Sequence, residues 1–380
     1  MVFSGLVLLN RGIETTFASV STSLPILNTH DSRLIMSPKV DISIAFYGKP
    51  YQAIATIESL MRHSGQHIDT IYLSRERIQP WDDWSGIFKI IDVFRNRSIN
   101  GHQVKLDIFY PHHFLGLGVL DYERTKTDAR FRHSILYQYA LEKTPQKYLC
   151  IMHNDMLFHA DMIGDMLKEF QNGPENLAGV GSIGQCWSCP AGPDWGNKCH
   201  SKIYREYVPT ADEAIALHEA HATPRQQIDL KVLRNGRIHM LPECRLNEYC
   251  ALVDVEKYRK NSLPDGDIGC YGGGWEGADT ATVWSHDMFK RGYTFNHLTL
   301  EDYVRHAAFD ETGSGTASNS SSDKYWAAEK NAEAYIIKNY YPLNFSAYVP
   351  LMTAYDGLKW KSWLAIIHSY GFVKKMLGRK

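Results

Sequence analysis

The chain has no long apolar run. Nowhere in its 380 residues does an apolar stretch reach the ~20 residues that a bilayer-spanning helix needs. The short apolar stretch Gly5–Leu9 is followed only by Arg11 and makes a poor secretion signal. The expected location is the cytoplasm, with peripheral contact at the cytoplasmic face of a membrane left open. Net charge is also nearly absent. Lys and Arg number 41 against 42 Asp and Glu, which leaves no global basic footprint, and no nucleic-acid partner is expected. Cysteine is scarce and odd in number. Seven in a cytosolic chain argue for free thiols or a metal site and against a disulfide framework. No internal repeat is found.

Aromatic residues are what the chain does have: 12% of it, including 22 Tyr and 9 Trp, a stock that suits polar clefts with stacking surfaces. Apolar periodicity sets out the elements. Val40–Phe46 alternates and then turns apolar, as a strand entering a core does. Tyr47-Gly48-Lys49-Pro50 is a turn, with Pro50 suited to the first position of a helix whose apolar face is Ile54, Ile57, Leu60 and Met61. Asp69–Ser74 is the second strand, and a βαβ unit of this kind pairs in parallel. Val104–Tyr110 is a third strand. A helix capped by Thr127 or Asp128 carries Arg130, Arg132, Leu136 and Ala140. Tyr148–Met152 is apolar without interruption, as a strand buried on both faces is, and His153-Asn154-Asp155 follows at its end. Asp161–Phe170 is helical, and Leu177–Ile183 and Tyr249–Val255 are strands. Glu276-Gly277-Ala278-Asp279 leads into an amphipathic helix ending near Arg291-Gly292.

Ligands of open α/β sheets bind beyond the carboxyl ends of the strands. Asp155 is therefore placed to hold a divalent cation, Mn2+ or Mg2+, which takes oxygen ligands from one or two carboxylates and from substrate phosphates.

Four segments stand in order: an opening strand and helix, an Arg-bearing helix before a strand ending in His-Asn-Asp, a later strand and Gly-rich loop, and an acidic cluster heading a helix that closes in Arg291-Gly292-Tyr293. Over residues 40–300 this order resembles a GT-A fold glycosyltransferase of the inverting family 2 type. The resemblance implies a Rossmann-type mixed α/β sheet flanked by helices. It implies a metal-dependent transferase that moves a sugar from a nucleotide-sugar donor to a hydroxyl of a glycan or lipid-linked acceptor, with inversion. The family's Asp-x-Asp motif falls on His153 and Asp155, with His153 departing from its first acid. His297 is the implied third metal ligand and His306 the weaker candidate. Phe46, Tyr47, Gly48 and Lys49 fall on the nucleotide-contacting turn, Ser74-Arg75-Glu76 stands at the second strand's end in place of the family's Asp, Arg130 and Arg132 fall near the diphosphate, and Asn154 beside Asp155. The family's base falls on Asp279, with Glu276 as the close alternative.

Two other functions compete. One is a nucleotidyltransferase of similar layout. The other is a non-enzymatic zinc-binding interaction module built on Cys186, Cys189, Cys199 and His200. The expected organisation is an N-terminal extension (1–39) and a catalytic domain (40–312) with an acceptor-side insertion at about 184–242. A flexible linker (313–322) and a C-terminal helical extension (323–380) follow. The basic and aromatic residues of 360–380 suggest peripheral membrane contact.

Overall fold

The computed structural model describes residues 38–115, 120–311 and 320–376. Residues 1–37 of the N-terminal extension and most of the linker at 313–322 lie outside the described residues. Eleven strands are described. They are β1 (Val40–Phe46), β2 (Ile68–Arg75), the hairpin β3 (Ser98–Ile99) and β4 (His102–Gln103), β5 (Leu106–Phe109), β6 (Tyr148–Met152), β7 (Met156–Phe158), β8 (Leu177–Ile183), β9 (Leu246–Asp254), β10 (Thr294–His297) and β11 (Val304–His306). Seven form one sheet in the order β10-β8-β9-β6-β1-β2-β5. All neighbours pair in parallel except β9, which runs antiparallel to both β6 and β8. This is the mixed α/β sheet that the sequence leads one to expect.

The apolar run of β6 has a simple cause. Cys150 and Met152 point into a core shared with Ile42, Ile44 and the helix α1 (Pro50–Ser64), while Leu149 and Ile151 point into a second core with Val253, Tyr258 and Trp284. Alternate residues face opposite sides, so a strand covered on both faces can spare no polar position.

β1 is flanked by β2 on one side and β6 on the other, and the chain leaves β1 for one neighbour and returns as the other. The carboxyl ends of β1 and β6 thus open a crevice at a switch in strand order. Because β9 is antiparallel, its first residues lie at the same edge, with Cys250 opposite Met152.

Some local expectations change. Three short helices stand here, Tyr122–Thr127, Ala129–Arg132 and Gln138–Lys143, and the expected Arg-bearing helix is broken into the last two of them. Asp128 caps the second by accepting from the Arg130 and Phe131 N–H groups, and Tyr137 at φ +67° breaks the path before the third. The helix after the acidic cluster begins only at Thr282, so Glu276 and Asp279 lie in the preceding loop and not in a helix first turn. Positive φ at Glu276 (+50°) and Ala281 (+63°) keeps that loop from winding up earlier. Helix Ser322–Asn339 packs on α1, and Tyr348–Met376 packs beside Gly86–Phe94, so the C-terminal segment belongs to the same compact unit as the sheet.

Candidate active site

The turn after β1 is held by its own backbone and by distant partners. Gly48 (φ +64°) and Lys49 (φ +57°) are both left-handed, and a Cβ at Gly48 would overlap Pro80 and the Tyr325 hydroxyl. The Gly48 N–H donates to Gln79 Oε1 (3.0 Å), and its carbonyl accepts from Asn154 Nδ2 (2.8 Å). The Lys49 N–H donates to the Tyr325 hydroxyl (2.7 Å), which in turn donates to Asp83 Oδ2 (2.7 Å). Asn154 therefore ties the turn after β6 to the turn after β1.

Asp155 sits in the crevice so formed. Lys49 Nζ donates to its Oδ2 at 2.8 Å, and His306 Nε2 lies 3.3 Å from its Oδ1. His153 Nδ1 is 3.3 Å from the same His306 nitrogen. His306 arrives on β11, which pairs with β7 so that His306 stands opposite Met156, one residue past Asp155. The Tyr249 ring stacks on His306 at 5.1 Å, and the Tyr249 carbonyl accepts the His153 N–H. Ligand atoms of His153, Asp155 and His306 all lie within 4.8 Å of one another, the one such group among the described residues. Burial pushes the Asp155 carboxyl up, but Lys49, His306 and His153 outweigh it and hold it well below the usual range. Burial likewise pushes His153 down to about 4, so its imidazole is neutral at pH 7.

Two cavities meet at His153. The first, about 390 Å3, is lined by Tyr47, Lys49, Glu76, Phe114, Tyr137 and Asp155 among others. Tyr47 and Phe114 stack at 6.3 Å on its wall. Glu76 follows directly on β2, and burial pushes its carboxyl up to about 7. The second, about 1070 Å3, runs past His306 and is lined by Gln185, Trp187, Asn247, Glu248, Glu301 and Arg305 among others. Gly184, Gln185 and Trp187 bring the 184–242 insertion to this second cleft, and none of its residues lines the first.

The sequence-derived residues divide accordingly. His153, Asn154, Asp155 and Tyr47 line the first cavity, and Gly48 shapes its turn. Phe46 is fully buried in the core beneath, and Ser74 is buried within the sheet. Arg132 is spent on Glu142, at 2.6 Å and 3.1 Å, and on the Thr125 carbonyl. Arg130 is exposed, and neither arginine lines either cavity. His297 Nδ1 accepts the Ile183 N–H at 3.1 Å and does not join the His153–Asp155–His306 group. Asp279 accepts from the buried Arg245 at 2.7 Å, and that guanidinium also approaches Glu248. Glu276 is exposed, 3.9 Å from Lys231. Phe114 and Glu248 carry no signal in the sequence, and Lys49 is visible there only as part of the turn after the first strand. Glu76 had one usable signal, as the first acid beyond the second strand.

Of the zinc-module residues, Cys189 and Cys199 both contact Cys244, while Cys186 meets Ser201 and the His200 ring accepts the Lys202 N–H. These residues do not form a closed four-ligand set.

No family model and no curated protein matches the chain. Solved structures similar to it include the mannosyltransferase PcManGT from Pyrobaculum calidifontis, described in complex with GDP-Man and Mn2+. That likeness is 11% identical with a TM-score of 0.39, covering 90% of this chain and 88% of that one. Mouse xyloside xylosyltransferase 1 is 12% identical with a TM-score of 0.37, covering 69% of this chain and 86% of that one. S. aureus TarS 1-349 is 10% identical with a TM-score of 0.37, covering 70% of this chain and 59% of that one.

Proposed function

We propose that the protein is a metal-dependent glycosyltransferase of the GT-A type, moving a sugar from a nucleotide-sugar donor to a hydroxyl acceptor. The observation that carries this reading is the His153–Asp155–His306 group beside a cavity walled by aromatic rings. The group fits a divalent cation. Asp155 Oδ1 is buried without a well-aligned hydrogen bond, and two imidazole nitrogens complete the donor set. Two imidazoles beside one carboxylate suit a divalent transition-metal ion better than Mg2+, which is held by oxygen ligands. Such an ion supplies Lewis-acid stabilisation of a leaving diphosphate.

The chain's own residues account for the rest. Tyr47 and Phe114 offer flat faces to a nucleobase. Glu76 offers hydrogen bonds to ribose or base. Lys49 adds positive charge where a diphosphate would gain negative charge. That contribution matters because α1 cannot supply it: Glu329 already accepts from the first-turn N–H groups of Tyr51 (2.9 Å) and Gln52 (3.4 Å).

For an inverting transfer, a base removes the proton of the acceptor hydroxyl as its oxygen bonds the anomeric carbon and the bond to diphosphate breaks. We assign the base to Glu248, with Asp279 positioning it through their shared Arg245. Glu248 lines the second cleft, and burial pushes its carboxyl up, toward the range a base needs. Trp187, exposed in that cleft, suits the apolar face of a sugar acceptor. A lipid-linked acceptor would also bring the enzyme to a membrane, with the C-terminal helix as the contacting element.

One observation favours a second reading. Lys49 already pairs with Asp155, so a cationic side chain could serve the diphosphate without metal. The test is release of nucleoside diphosphate from a panel of nucleotide sugars, with Mn2+ and with chelator. Release that needs Mn2+ supports the first reading, release in chelator the second, and release of pyrophosphate from a sugar phosphate and nucleoside triphosphate supports a nucleotidyltransferase. In the same assay Glu248→Gln is expected to slow transfer by about a hundredfold or more with nucleotide affinity unchanged, and Glu276→Gln to do nothing.

A further inference from the structure

The C-terminal helix Tyr348–Met376 has two apolar faces, and only one is covered. The covered face is tied down firmly. Trp360 stacks on Trp84 at 5.7 Å, Asp356 pairs with the buried Arg75, and Arg77 lies over the rings of Trp360 and Trp363. The other face carries Leu351, Tyr355, Leu358 and Ile366, exposed by 70%, 62%, 68% and 67%. At 3.6 residues per turn these four fall within roughly 80° of arc. Lys359 and Lys361, both exposed, flank the stripe on opposite sides.

We propose that this outward stripe lies in the interface of an anionic lipid membrane. Charge decides the occupant. The helix contains Lys359, Lys361, Lys374 and Lys375 against one acid, Asp356, and that acid is turned inward to Arg75. Lysines that flank an apolar stripe bury their stems at a membrane surface and keep their ammonium groups among anionic headgroups. A second copy of the chain would bring like charges together along both margins. No described helix is long and apolar enough to cross a membrane, so the contact runs along the surface. Arg75 ends β2 and Glu76 lines the first cavity, so the same helix holds the catalytic edge of the sheet close to the lipid.

The experiment is sedimentation of the full chain with phosphatidylcholine vesicles, with and without phosphatidylglycerol, at low and high salt. It needs no sugar transfer, so its outcome is independent of the reaction proposed above. The wild-type protein is expected to bind vesicles containing phosphatidylglycerol and to release at high salt. The double variant Leu351→Glu, Leu358→Glu should lose about tenfold or more in binding. Lys359→Ala and Lys361→Ala should each cost about fivefold. All of them should melt with the wild type, because the stripe is exposed. Equal binding by wild type and the double variant, or no binding to either vesicle, overturns the proposal. So does a dimer in light scattering that Leu351→Glu breaks while vesicles are ignored.

Discussion

Glu76 carries a stability cost on the wall of the cavity proposed to take the nucleotide. Its carboxyl ionises near 4.5 in an unfolded chain, and burial pushes it up to about 7 in the native state. Between those values the native state binds more protons, so stability falls as pH rises through that window. Glu76→Gln is therefore expected to be more stable than wild type at pH 8, on the order of 2–3 kcal/mol, and no more stable at pH 4. Thermal melts at the two pH values check this, and an equal gain at both would contradict it. The same residue was only half legible from sequence, since position beyond a strand was visible but burial was not. His306 makes the point more sharply. It reaches Asp155 because β11 pairs with β7, a register set between residues some 150 positions apart. No local pattern distinguishes it from His297, whose nitrogen instead receives the Ile183 N–H. Mn2+ titration followed by calorimetry should show at least about tenfold weaker binding in His306→Ala and unchanged binding in His297→Ala.

At the scale of elements, the strands were legible and the broken helices were not. Tyr148–Met152 and Leu177–Ile183 appear with their expected ends, the first because burial on both faces demands an unbroken apolar run. The segment before β6 has the sequence pattern of one helix. Its propensity is helical, but Tyr137 is left-handed and fully buried beside Tyr271, so tertiary packing overrides the local preference. The support given to α1 by helix Ser322–Asn339 was equally hidden. Glu329 caps α1 from 277 and 278 residues away, where a side-chain cap is normally local. Glu329→Ala leaves the Tyr51 and Gln52 N–H groups without that partner and is expected to cost about 1–3 kcal/mol. Denaturant unfolding checks it, and an unchanged midpoint would mean that the cap contributes nothing.

At the scale of the whole molecule, one edge of the sheet collects the metal-competent group, the aromatic cavity, the cleft lined by the insertion and the anchor of the C-terminal helix. The order of segments along the chain foretold that convergence, because a parallel sheet delivers its strand ends to one side. Which side chains fill the edge depends on antiparallel β9 and on the β7–β11 ribbon, whose pairings the sequence does not announce. The proposed function requires that His153, Asp155 and His306 hold a cation that a nucleotide diphosphate shares. Calorimetric titration of UDP and GDP into the protein, with and without Mn2+, tests this in wild type and in Asp155→Ala. At least one nucleotide is expected to bind only with Mn2+ and to lose binding in Asp155→Ala, with the variant still folded. Nucleotide binding indifferent to both Mn2+ and Asp155 would contradict it.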